Sequence, residues 1–271
     1  MSPQVSRRAA LTAVLLLGLA ADAPAPGPPA LPARDRDLWP DGQAVARGAR
    51  SLVTGHHAAP GTLDELARRA DSAALRVTAV LGRPVRPVVI VPDTAQDAAR
   101  LAGSGPLDGL AAVADDGRVI VVPESFGRLT SLGKDVVLTH ELTHVAAGTG
   151  GLPVWLYEGF ADYVAYRDAG LPVRTAAAEL AAEVRAGRVP AALPGPEAFA
   201  VGGPGPGRLA LAYQEAWLAC RFLSGRFGER SLVRLYRDAQ VAGVRAALAA
   251  LGLSVSTLTA RWRVYVREQL T

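Results

Sequence analysis

Cysteine and methionine occur once each and histidine four times in 271 residues. The lone Cys220 excludes an internal disulfide, and within an apolar helical stretch it reads as a small buried hydrophobe rather than a reactive thiol. Lysine is scarce too, Lys134 being the single example, so arginine carries nearly all the positive charge. The formal net charge is still only +4, too little to argue for a nucleic-acid partner. Long apolar runs are also missing. The one near the N-terminus, residues 9–21, is too short to span a bilayer comfortably, so no stable membrane insertion is expected. At 50% hydrophobic and 20% charged, the composition is that of one sizeable domain or two small ones.

The chain opens with what reads as an export signal. Arg7-Arg8 precede the apolar run, and Gly18-Leu19-Ala20 offers small residues for cleavage. Residues 1–22 are therefore expected to direct an extracytoplasmic, secreted protein, and Ser6 to Leu11 is loosely similar to a twin-arginine signal. An uncleaved anchor is the alternative. No cysteine follows the run, so a lipoprotein anchor is not expected. Residues 23–48 form a proline-rich spacer with no packed core of its own, and residues 49–271 the folded domain.

Within that domain, strand signals come first and helical ones last, which predicts an α+β fold. A small mixed sheet is expected in residues 49–150, with a mainly helical part in 151–271. The periodicity predicts strands at residues 51–54 and 87–91 and helices at 62–81 and 94–101. Residues 110–114 and 118–122 flank the turn sequence Asp115-Asp116-Gly117 and read as a hairpin. His56 and His57 stand in a Gly/Ala/Pro loop, where neighbouring side chains point in different directions, so they read as a solvated loop rather than a metal pair. Further helices are expected at 174–188, 209–227, 229–240, 243–251 and 255–270. Residues 190–207 should form an irregular connection crossing near the functional cleft.

The most informative stretch is His140-Glu141-Leu142-Thr143-His144. On a helix over residues 134–147, positions four apart share a face, so both imidazoles can address one metal ion while Glu141 sits beside them. At this composition a chance His-Glu-x-x-His has a likelihood of about two in a thousand. Gly148, Gly150 and Gly151 end that helix, and Pro153 suits the start of another over 154–168 that carries Glu158. Two such helices can face each other across the short turn, bringing the Glu158 carboxylate to the same ion. Three protein ligands leave a fourth position open, as in a catalytic zinc site. Gly159 and Ala161 would let the second helix approach closely. Asp135, just before the motif, reads as a residue favouring the helix start, and Trp155 and Phe160 as core.

These residues carry a resemblance. His140 to His144 followed by Pro153-Val154-Trp155-Leu156-Tyr157-Glu158-Gly159-Phe160-Ala161-Asp162-Tyr163 looks like the gluzincin zinc metallopeptidases, most closely the peptidase MA-like proteins. The C-terminal pattern, including Arg261 to Val266, is also similar. The resemblance implies a zincin-like fold with one Zn2+ per chain on His140, His144 and Glu158, and Glu141 as general base. It implies Asp162 as the carboxylate that orients a ligand histidine, and Val119, Ile120, Val121 and Val122 as an edge strand that pairs with an extended peptide or protein substrate, the alternative being an ordinary core hairpin. Tyr213 is a candidate oxyanion donor, or else a helix-packing aromatic. The Gly-x-Met-Glu-Asn segment of the large aminopeptidases is absent, so their exopeptidase specificity does not carry over. A monomer is expected. Two other readings stay open: a non-catalytic secreted zinc protein that binds a partner through the same fold, and a hydrolase of amides other than peptides.

Overall fold

The computed structural model describes residues 31, 35, 38–107, 109–200 and 207–271. The expected export signal and the start of the spacer lie outside the described residues. The architecture is α+β, a small mixed sheet followed by helices. No helix of the described residues is long and apolar enough to cross a membrane.

The sheet has five strands, β1 (Ala44–Arg47), β2 (Leu52–Gly55), β3 (Val88–Val91), β4 (Ala112–Asp115) and β5 (Arg118–Val121), in the order β1-β2-β3-β5-β4. The inner pairs β2–β3 and β3–β5 are parallel and the outer pairs antiparallel. Alternation along the strands divides the core. Val53, Val89, Val119 and Val121 pack with α1 (Pro60–Leu81) and α4 (Ser131–Ala147), whereas Ile90, Ile120 and Val122 pack with Ala98 of α2 (Ala95–Leu101) and Leu107. Asp116 and Gly117 join β4 to β5 with φ of 37° and 85°. Both values lie in the left-handed region, the backbone of a two-residue type I′ hairpin.

This order corrects the expectation for Val119 to Val122. Residues 118–121 form an inner strand paired on both sides, and the free edge belongs to β4. The residues of β5 are all buried, as in a strand covered on both faces. Its partner β4, Ala-Val-Ala-Asp, carries the small residues of an exposed edge. A second correction concerns the spacer. Residues 44–47 belong to the sheet as β1, antiparallel to β2, so the folded unit begins before residue 49. Four residues with two alanines and one buried side chain give too weak an apolar signal to be seen in sequence.

Thr130 caps α4, its side chain accepting the Gly133 N–H at 3.1 Å. Asp135, expected at the helix start, instead pairs with Arg69 of α1 at 2.7 Å. Arg69 also donates to the Ser131 carbonyl at 3.1 Å, which ties α1 to the first turn of α4. After a short α3 (Pro123–Gly127) and α4 comes α5 (Val154–Tyr166). The helix expected over 174–188 is broken into α6 (Val173–Ala176) and α7 (Ala178–Arg185), with the buried Ala177 at φ −117° and ψ 45° between them. A 3-10 turn (Pro196–Phe199) follows. The chain then closes with α8 (Arg208–Phe227), α9 (Glu229–Ala242), α10 (Val244–Ala249) and α11 (Val255–Leu270).

The helical part holds the metal-motif helix from behind. Tyr236 of α9 donates to the Gly148 carbonyl at 2.5 Å, and Gln240 donates to the Ala147 carbonyl at 3.0 Å. These bonds satisfy groups that the end of α4 leaves without helical partners. Gly159 serves a different contact from the one expected: a Cβ there would stand 2.2 Å from the Ala216 carbonyl oxygen of α8, so its lack of a side chain admits α8 and not α4. Trp155 and Phe160 are buried in the core, as read from sequence. Cys220 is also wholly buried, with Sγ 3.8 Å from the Leu156 carbonyl.

Candidate metal centre

His140 and His144 lie on α4 four residues apart and turn the same way, towards Glu158 in the second turn of α5. The two Nε2 atoms are 3.0 Å apart, and Glu158 Oε2 lies 3.1 Å from His140 Nε2 and 3.3 Å from His144 Nε2. Ligands held at about 2.0 to 2.2 Å around a tetrahedral ion are separated by about 3.3 to 3.6 Å, so three donors are arranged at nearly the spacing one cation needs. Asp162 Oδ1 stands 2.8 Å from His140 Nδ1. With that nitrogen donating to Asp162, the Nε2 lone pair of His140 faces Nε2 of His144. Two imidazole nitrogens in that position require a proton or a cation between them. The donor set therefore fits a metal ion.

Among the described residues, two groups could hold one: His140, His144 and Glu158, and a second made of Asp41, His56 and His57. The second corrects the reading of His56 and His57 as neighbours pointing apart, because both direct Nδ1 to a single Asp93 oxygen, at 2.7 and 2.9 Å. Nothing local to residues 56–57 signals that the loops after β2 and β3 meet.

Glu141 faces the cleft rather than the donor triangle. Burial raises its carboxyl above the ordinary range, an effect opposed chiefly by the two imidazoles. A carboxyl so placed is a better proton acceptor than one in water. Glu158 behaves in the opposite way: burial alone would raise it, but hydrogen bonds from His140 and His144 pull it down to about 2, so it stays ionised. A ligand carboxylate needs that property.

The cleft in front of the centre is about 470 Å³ and runs between α4 and the free edge of β4. Val122 N–H donates to the Ala111 carbonyl at 2.9 Å, which makes this a hydrogen-bonded pair. Alternation then turns the backbone groups of Ala112 and Ala114 outward, away from β5. Tyr213 of α8 also lines the cleft, its ring centre 5.9 Å from that of His140 and 5.3 Å from that of Phe199 in the 3-10 turn. In the described part of the 190–207 connection, Phe199 packs on Tyr213 but does not itself line the cleft. Sequence reasoning missed Tyr157, which lines the cleft with its ring 5.8 Å from that of His144. Its place next to Glu158 was visible, but adjacent helical positions differ by about 100° and the sequence does not say on which side the cleft opens.

Asp162 touches no open part of the centre, so its effect must pass through His140. Asp162→Ala is expected to weaken metal affinity by about ten- to a hundredfold, measured by competition with a coloured chelator. Unchanged affinity would leave it no role in orienting the ring.

Compared with protein-family models the chain matches none, and compared with curated proteins it again matches none.

Proposed function

We propose that this protein is an exported, zinc-dependent peptidase of zincin-like fold. The observation that carries the reading is the placing of Glu141, half-buried beside three converging donors and lining a cleft bordered by a free strand edge. Two imidazoles and one carboxylate favour zinc among the biological divalent ions. A zinc ion held by His140, His144 and Glu158 would supply a Lewis acid for a carbonyl and a water of lowered pKa.

The rest of the chemistry falls to the side chains and the backbone. Glu141 accepts the proton of the attacking water and passes it to the leaving amine. Asp162 fixes the His140 ring through Nδ1. Tyr213, which lines the cleft, would donate its hydroxyl to developing charge on the carbonyl oxygen; burial raises this phenol well above the ordinary tyrosine range, so it keeps the proton it donates. The outward groups of Ala112 and Ala114 align an extended peptide by strand addition. The export signal read in residues 1–22 supports an extracytoplasmic site of action.

The reading is tested by stripping the mature protein with a chelator and assaying a diverse peptide library. Cleavage should vanish with the metal and return on adding about one zinc per chain. A protein that binds zinc at this site, cleaves nothing and retains a partner protein would be the non-catalytic alternative. The strand-edge role has its own test. Ala112→Pro deletes an outward N–H and leaves the β4–β5 ladder intact, a substitution that edge strands accept. KM for long peptides should rise while kcat changes little. An unchanged KM would remove β4 from substrate binding.

A further inference from the structure

We propose that Asp41, His56 and His57 form a second divalent-metal site of the zinc type, held in place by Asp93 and separate from the centre on α4. The loop after β2 carries both histidines, the loop after β3 carries Asp93, and Asp41 precedes β1. Because β2 and β3 are parallel and β1 runs against β2 with Ala44 opposite Gly55, all three segments meet at one end of the sheet.

The residue types are those of the first centre, two histidines and a carboxylate. Asp93 Oδ2 lies 2.7 Å from His56 Nδ1 and 2.9 Å from His57 Nδ1, and Oδ1 accepts the His57 backbone N–H at 3.1 Å. One carboxylate thereby fixes both rings by their Nδ1–H groups, as Asp162 fixes His140, and such a partner selects the tautomer whose other nitrogen is free to bind metal. The remaining nitrogen of His56 points at Asp41, Nε2 being 2.8 Å from Oδ1. The two ring centres are 3.7 Å apart, and one donor atom from each of Asp41, His56 and His57 falls within 4.8 Å of the others. Trp39 stacks parallel to the His56 ring at 5.3 Å and shields it, while the exposed His57 and Asp41 leave room for water to complete the coordination.

Charge favours a divalent ion over the simplest competitor, a proton on His56. With both imidazoles neutral, Asp41 and Asp93 carry two negative charges, which a divalent cation neutralises and a single proton does not. Two nitrogen donors select zinc, nickel or copper over magnesium or calcium, which prefer oxygen. Such an ion would staple the segment before β1 to the ends of β2 and β3, so its effect would be on stability.

The test uses full-length protein with the first centre removed by His140→Ala and His144→Ala. After chelation and dialysis this variant should take up about one equivalent of zinc, with the spectrum of a nitrogen- and oxygen-ligated ion when cobalt is substituted, and its melting temperature should rise with added zinc. Adding Asp41→Asn, on an exposed side chain whose change should not perturb folding, should lower that affinity by at least about tenfold, and adding Asp93→Asn by about ten- to a hundredfold. His56 and His57 titrating freely in the presence of micromolar zinc, with no metal retained by the variant lacking the first centre, would overturn the proposal in favour of a proton-bridged contact. Uptake unaffected by Asp41→Asn and Asp93→Asn would overturn it as well.

Discussion

Glu141→Gln is expected to lower peptide hydrolysis by at least about a hundredfold, the lower end of what general acid–base catalysis contributes. The substitution nearly preserves size and Glu141 is only half-buried, so folding should be unaffected. Glu141 lies outside the His140, His144 and Glu158 group, and metal content should stay at about one zinc per chain at that centre. Circular dichroism and metal analysis on the same preparation check both conditions. Equal cleavage by variant and wild type would remove Glu141 from the mechanism, whatever the metal does.

The largest effect on stability is expected at a residue that touches neither metal nor substrate. Gly159→Ala would place a methyl 2.2 Å from the Ala216 carbonyl oxygen and 3.1 Å from Cys220 Sγ. The first obstacle is backbone in a buried helix, so nothing flexible can move aside. Overpacking of this kind costs about 3 kcal/mol, and more where backbone must shift. Since Glu158 immediately precedes Gly159, a displaced α5 would also spoil the donor triangle. The variant should therefore show a lower denaturation midpoint and weaker metal binding together. A midpoint within error of wild type would mean that α5 and α8 separate more easily than their packing implies.

The metal motif was legible because its information is local. His140, His144 and Glu141 needed only the helical repeat, and Glu158 needed only a short turn between two helices. The hairpin was legible for the same reason, Asp116-Gly117 being a turn signal with a mechanism. What the sequence concealed was long-range. Which arm of the hairpin lies outermost depends on β5 pairing with β3 across the intervening α2, and no feature of residues 110–122 alone fixes that partner. The clustering of His56, His57, Asp41 and Asp93 arises from sheet topology. The role of Gly159 was assigned to the wrong neighbour, because a glycine signals close approach without naming what approaches. Asp135 was misread for a similar reason: Arg69 lies far away in sequence, and Thr130, five positions earlier, already supplied the cap.

The strand that borders the cleft is only four residues long, as is β1 at the opposite side of the sheet. An unpaired edge is a hazard as well as a binding surface, because it can recruit the edge of another molecule as readily as a peptide. Two outward residues leave too little backbone for a second copy to extend the sheet stably. The same brevity means that a peptide gains little from main-chain pairing alone. Folded proteins, whose segments rarely peel away at so small a reward, should be poor substrates, and loose or partly unfolded chains better ones.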